Sequence, residues 1–103
     1  MKSIKEYINE SIVTQKINSK GKKELKKFVD NAIKDIDNIL DYYGISNNNE
    51  DDVYIDCRDT IWTFVNDNNI CSDTTKDEES ISFINDEYER LARAICDKYK
   101  IIN

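Results

Sequence analysis

Apolar side chains recur at steps of three and four residues along most of this chain, the spacing of one face of an α-helix. The clearest case lies between the two glycines, Gly21 and Gly44, and predicts one helix over Lys22–Tyr43. Its apolar stripe consists of Leu25, Phe28, Val29, Ala32, Ile33, Ile36, Ile39, Leu40 and Tyr43. A glycine directly after the last apolar residue suits the left-handed turn that ends many helices, because it has no Cβ to clash.

The N-terminal segment predicts a short helix over Met1–Ile12. Ser3 and Glu6 have the spacing of a capping box, in which each side chain accepts a hydrogen bond from a free backbone N–H at the helix start. One face of this helix would carry Ile4, Tyr7, Ile8 and Ile12. Val13–Ser19 contains β-branched residues and polar breaks, so we expect a linker there.

The second half of the chain predicts two more helices and two loops. Ile45–Asp52 is a loop whose terminal acids favour the positive start of a following helix. Val53–Val65 is rich in β-branched and aromatic residues, which suit a β-hairpin. Its apolar residues nevertheless keep helical spacing, and no glycine or asparagine marks a turn, so we predict a helix with the hairpin as the alternative. Asp67–Asp77 is predicted to be a loop and Glu78–Lys100 a second long helix.

These elements predict one small all-α domain over residues 11–103. Short connections place successive helices antiparallel, which gives a bundle of three or four helices. The absence of proline fits such a chain. No apolar run approaches the roughly 20 residues that cross a bilayer, so we expect no membrane association.

Composition argues against catalysis and cofactors. The chain has no histidine, which removes the usual general base and the commonest zinc ligand. Its three cysteines, Cys57, Cys71 and Cys96, form no C-x-x-C pair and are odd in number, as in a reduced compartment. We therefore expect a protein that is not an enzyme and that holds no metal or cofactor.

Charge is distributed in blocks along the chain. Residues 11–34 hold seven lysines and two acids, whereas residues 35–89 hold sixteen acids and two bases. The whole chain has a formal net charge of −6. A solvated, soluble surface explains such blocks, and so does a charged partner.

The lysines at the start of the central helix lie where the helix dipole disfavours cations. This arrangement is not an optimum for stability, so a solvated face and a contact with DNA or a second partner both remain open. The residues concerned are Lys22, Lys23, Lys26 and Lys27.

The acidic block suggests two rows that could imitate nucleic-acid phosphates and occupy the basic cleft of a nucleic-acid-binding protein. The first row comprises Glu50, Asp51, Asp52, Asp56 and Asp59. The second comprises Asp73, Asp77, Glu78 and Glu79. An acidic surface without a partner is the alternative.

The first ten residues carry a motif that points to a family. The motif begins with Met-Lys, a small hydroxyl residue and two variable positions. It continues with Glu, an aromatic residue, Ile, a variable position and a final Glu. The matching residues here are Met1, Lys2, Ser3, Glu6, Tyr7, Ile8 and Glu10. This segment resembles the capsid-targeting sequence of the internal head proteins of T-even-type tailed phages. The resemblance implies that a prohead protease recognises the segment, including Ile8, and cuts between Glu10 and Ser11.

The same resemblance implies a protein that is packaged in the capsid interior and ejected into the host cytoplasm with the DNA. One internal protein of that family inhibits a host restriction enzyme. We therefore expect an inhibitor of a host defence nuclease, of restriction or CRISPR type, that binds through an acidic surface. The alternatives are a structural head protein without a host target and an acidic immunity protein that neutralises a basic toxin. Oligomeric state does not follow from the sequence.

Overall fold

The computed structural model describes residues 16–101, which form four helices. They are α1 (Ser19–Lys34), α2 (Ile36–Tyr43), α3 (Glu50–Asp67) and α4 (Glu78–Tyr99). No strand occurs in this part of the chain, which confirms the all-α bundle and makes the alternative hairpin over 53–65 wrong. The predicted helix over Met1–Ile12 and residues 13–15 of the predicted linker lie outside the described residues.

The prediction of a single helix over Lys22–Tyr43 is wrong, because the helix breaks at Asp35. The backbone there leaves helical geometry, with φ −142° and ψ 65°. The rings of Phe28 and Tyr43 meet edge to face with their centroids 5.9 Å apart. In a straight helix these residues would be separated by a rise of about 22 Å. The break therefore folds α2 back towards α1, and aspartate is a poor helix-interior residue that tolerates such a break.

The sequence predicts that Gly21 precedes the helix. In the structure Gly21 instead lies inside the first turn of α1. Helix α1 begins earlier because the Asn18 side chain accepts a hydrogen bond from the Gly21 N–H at 2.8 Å. A Cβ on Gly21 would come within 2.9 Å of Ile70 Cγ2 and 3.2 Å of Ile17 Cγ1. The glycine thus lets α1 approach the loop that follows α3.

The role predicted for Gly44 is confirmed. It ends α2 with φ +65°, in the left-handed region, and the following Ile45 N–H bonds back to the Leu40 carbonyl at 3.0 Å. Ile45 is buried as a result. This turn directs the chain from α2 into the loop before α3.

Helix α4 is the centre of the bundle and packs against both α3 and α1. Glu50, at the start of α3, lies near Cys96, close to the end of α4, so these two helices run antiparallel.

None of the helices in residues 16–101 is long and apolar enough to cross a membrane. Burying each aliphatic side chain completely contributes about 1.5–3 kcal/mol to the free energy of folding. The aliphatic side chains with no exposed surface include Leu25, Val29, Val53, Ile61, Val65, Ile84, Leu91 and Ile95.

Arg90 joins α4 to α1 through its guanidinium. It donates to Asp30 on α1 at 2.7 Å and to Glu87, one turn earlier on α4, at 2.8 Å. Glu87 is buried, and its hydrogen bond is the main reason that the pKa of Arg90 is raised. A buried carboxylate is costly unless it is paired, so Arg90 compensates Glu87 within α4, and the same guanidinium reaches the exposed Asp30 on α1.

Candidate partner-binding surface

The first acidic row begins at the start of α3, where the local sequence favours negative charge. The Asn49 side chain caps the helix by accepting a hydrogen bond from the Asp52 N–H at 2.9 Å. The three acids that follow, Glu50, Asp51 and Asp52, form the first turn. They lie at the positive end of the helix dipole, which stabilises them there.

The acids of this row are not equally free to meet a partner. Asp56 accepts a hydrogen bond from the Ser46 N–H at 2.7 Å, and Asp52 accepts one from the Asn49 side-chain amide at 3.0 Å. Asp51 and Asp59 are exposed. Arg58 Nη2 lies 3.5 Å from Asp59 Oδ1, an exposed pair that contributes little to stability. The negative charge open to solvent on α3 therefore centres on Asp51 and Asp59.

An apolar side chain lies between these two exposed acids. Ile55 comes one turn after Asp51 and one turn before Asp59, and 46% of its surface is exposed. Trp62, two turns after Ile55, is half-buried against the core. The outer face of α3 thus combines acids with an exposed aliphatic group, and the sequence analysis missed Ile55. Its position outside the buried stripe of α3 was the signal that could have identified it.

The second acidic row lies at the start of α4, and one of its residues is engaged in hydrogen bonds that begin this helix. Asp77 caps α4 by accepting hydrogen bonds from the Ser80 N–H at 3.0 Å and the Ser80 hydroxyl at 2.6 Å. These bonds, chiefly the one from the hydroxyl, lower the pKa of Asp77. Asp73, Glu78 and Glu79 are exposed.

The structure does not bring the two rows together. Glu50 lies near Cys96, and Cys96 is eighteen positions beyond Glu78 along α4. That separation corresponds to a rise of about 27 Å. The start of the first row therefore lies far from the second row, and Asp59 lies about 14 Å nearer to the second row along the helix axis than Glu50 does.

The four lysines expected to contact DNA are all exposed. Lys22 places its ammonium 5.5 Å from the centre of the Phe83 ring, and the backbone carbonyl of Lys26 accepts a hydrogen bond from Arg90 at 3.4 Å. Lys23 and Lys27 share one solvent-facing stripe of α1 with two lysines that the sequence pattern did not single out, Lys20 and Lys34.

The three cysteines lie on different elements of the described part of the chain: Cys57 on α3, Cys71 in the following loop and Cys96 on α4. Burial raises the pKa of the Cys57 thiol to about 12, and it also raises the pKa of Cys71 and Cys96. All three thiols are free and buried, so they are held in the unreactive protonated form. Within residues 16–101 no cluster of His, Cys, Asp or Glu side chains could hold a metal ion.

No protein-family model, curated protein or solved structure matches this chain.

Proposed function

We propose that this chain is a phage-encoded protein that is packaged in the head, enters the host with the DNA, and binds and inhibits a host defence nuclease of restriction or CRISPR type. The observation that carries the inhibitory role is the outer face of α3, where exposed Ile55 lies between exposed Asp51 and Asp59. Acids give long-range attraction to a basic cleft, and a central apolar group gives contact area once the cleft is reached.

Binding through α3 requires little rearrangement of the inhibitor. The helix is fixed at its start by the Asn49 cap and along its apolar side by burial in the core. Asp51 and Asp59 are eight residues apart, a rise of about 12 Å. Two carboxylates held at that spacing on a rigid helix can replace phosphates of a bound nucleic-acid strand without the cost of ordering the backbone.

The delivery role rests on the N-terminal motif, whose residues, including Ile8, Glu10 and Ser11, lie outside the described residues. The lysine stripe of α1 supports residence among packaged DNA, because Lys20, Lys23, Lys27 and Lys34 face solvent and could neutralise phosphates. The intact mass of the protein from purified virions tests delivery separately. A chain beginning at Ser11 would support it, and absence from virions would remove it.

Charge reversal on α3 tests the inhibitory role. We expect the full chain to slow DNA cleavage by a susceptible restriction or CRISPR nuclease, and the double variant Asp51→Lys, Asp59→Lys to lose that inhibition. Both residues are exposed, so the fold should persist, as circular dichroism would verify. The reason for the loss is that lysines on this face are repelled by a basic cleft.

The second acidic row provides a matched control. The double variant Glu78→Lys, Glu79→Lys makes the same change of charge at exposed positions in the first turn of α4. It should inhibit as the unaltered chain does, because these two residues lie outside the α3 face that carries Asp51, Ile55 and Asp59. Full inhibition by the α3 variant, or equal loss in both variants, would contradict docking through α3.

A further inference from the structure

Four aromatic rings form a continuous cluster on one side of the bundle. The rings of Phe64 on α3 and Phe28 on α1 stack with their centroids 4.2 Å apart and an angle of 16° between their planes. Phe28 meets Tyr43 of α2 edge to face at a centroid distance of 5.9 Å, and Tyr43 meets Tyr42 in the same way at 4.7 Å. The cluster therefore joins three helices, and the helix break at Asp35 is what brings α2 to it.

The outer end of this aromatic cluster is open to solvent. Tyr42 has 76% of its surface exposed and Tyr43 has 42%, while Phe28 and Phe64 are half-buried. Single exposed apolar groups are ordinary on a protein surface, but rings in mutual contact form a patch that marks a binding surface. The exposed ring surface can accept a further flat ring by stacking.

An open groove leads from these rings to the lysines of α1. It encloses about 340 Å³, and its walls include Phe28, Phe64 and Lys27. The side-chain amides of Asn31 and Asn68 also line it. Amide groups both donate and accept hydrogen bonds, so the groove offers polar contacts and a positive charge directly beside the rings.

Positive charge continues along the same side of α1. This helix holds six lysines and two acids. Lys27 lines the groove, and Lys20 lines the smaller hollow that continues it past Glu24. The other acid of α1, Asp30, is paired with Arg90. A chain of phosphates that follows α1 would therefore meet more positive than negative charge.

We propose that this surface binds single-stranded nucleic acid, with bases stacked on the aromatic cluster and phosphates beside Lys20 and Lys27. Proteins that bind single strands combine aromatic platforms with a basic track in this way. A duplex fits less well, because its bases are stacked on one another and cannot reach the rings. The net charge of −6 and the neighbouring Asp41 weaken long-range attraction, so the rings have to supply much of the affinity.

The aromatic cluster is separate from the face proposed to bind a nuclease. Phe64 and Ile55 are nine residues apart on α3, which is about two and a half turns, so they lie on opposite sides of that helix. Every residue of the cluster also follows the Glu10–Ser11 bond. The inference therefore goes beyond the proposed function and holds whether or not the chain is cut there.

Fluorescence anisotropy of a labelled oligodeoxythymidine of about ten nucleotides, mixed with the full chain at low salt, tests the aromatic contacts. We expect Tyr42→Ala to weaken binding at least about fivefold, the effect of losing one stack between base and ring. Tyr42→Phe keeps the ring and should bind as the unaltered chain does. Tyr42 is largely exposed, so the fold should persist in both variants, as circular dichroism would verify.

Lysine substitutions test the phosphate contacts. Lys27→Gln should weaken binding and reduce the steepness of log affinity against log salt by about 0.7, which corresponds to one phosphate of a single strand. Lys76→Gln removes the same charge from an exposed position that does not line the groove. It should leave the salt dependence unchanged.

A hairpin duplex with the same number of phosphates provides the decisive comparison, and it should bind at least about fivefold more weakly than the single strand. Tighter binding of either oligodeoxythymidine or oligouridine than of the duplex supports the proposal and identifies the sugar. Absence of binding at low salt would overturn it. Equal binding of strand and duplex that Tyr42→Ala does not change would also overturn it, because the lysines alone would then account for the attraction. Neither result bears on inhibition through α3, so failure here is distinguishable from failure of the proposed function.

Discussion

Single polar side chains determine where the described helices α1, α3 and α4 begin. Asn18, Asn49 and Asp77 each accept a hydrogen bond from the backbone N–H three residues further along. The cap at Asp77 follows from the sequence, because a polar loop ends there and an apolar period begins. The cap at Asn49 does not, since Asn47, Asn48 and Asn49 are equally suited to it. Burial of Val53 against the core selects the register.

The cap at Asp77 should make stability depend on pH in the acid range. Its pKa is lowered in the folded protein from an ordinary value of 3.8, mainly by the Ser80 hydroxyl. Because the pKa of Asp77 is lowered on folding, the ionised carboxylate contributes fully to the free energy of unfolding above pH 3.8. That contribution is lost as the pH falls through the folded-state pKa of Asp77. We expect Asp77→Asn, which can still cap, to show a shallower fall in the free energy of unfolding below about pH 4.

Urea unfolding followed by Trp62 fluorescence at a series of pH values measures this dependence. Part of it should persist in the variant, because Tyr99 and Lys98 also lower the pKa of Asp37. The variant Asp73→Asn removes the same charge from the same loop but not the cap, and should follow the unaltered chain. Identical pH profiles for Asp77→Asn and Asp73→Asn would contradict the assignment.

At the scale of elements, the reversal between α1 and α2 is the main departure from the helical pattern. The spacing of apolar residues continues through Asp35 without a gap, so periodicity alone predicts one long helix. The contact between Phe28 and Tyr43 joins residues fifteen apart, and local propensity carries no information about it. Such a contact becomes visible only when the helices are packed together.

The turn at Gly44 should tolerate other side chains poorly. A Cβ there would meet no atom within 4 Å, yet the backbone has φ +65°. The cost of Gly44→Ala is therefore conformational alone, and we expect about 1 kcal/mol of lost stability. Urea unfolding followed by circular dichroism measures it.

A second substitution separates conformation from packing at this turn. Gly44→Asn should lose less stability than Gly44→Ala, because asparagine tolerates the left-handed region better than alanine does. Equal losses in the two variants would show that something other than the backbone angle limits this position.

For the molecule as a whole, the reactivity of the three thiols indicates whether the core stays closed to solvent. Cys57 lies on α3, Cys96 on α4 and Cys71 in the loop between them, and all three are buried. The pKa of each is raised by burial. None should therefore react until the bundle opens.

Thiol modification should accordingly be slow in native buffer. We expect the reaction of all three cysteines with a disulfide reagent to be at least about a thousandfold slower than in denaturant, given a stability of roughly 5 kcal/mol or more. The variant Asn48→Cys, in an exposed loop, should react at the unfolded rate and serves as the control. A fast-reacting thiol in the unaltered chain would indicate local opening rather than one cooperative core.

The sequence by itself determined the helical class, the existence of α3, the position of α4 and the left-handed turn at Gly44, because each depends on periodicity or on one residue's backbone preference. The bounds of α3 were not determined, since it spans Glu50–Asp67 rather than the predicted Val53–Val65. Only the tertiary structure decided that α1 and α2 separate at Asp35 and that Gly21 serves close packing. It also decided that Asp56 accepts a hydrogen bond from the Ser46 N–H and that the first acidic row begins beside the end of α4 whereas the second lies at its start. These features arise from contacts between residues distant in the chain, whose energies local patterns do not contain.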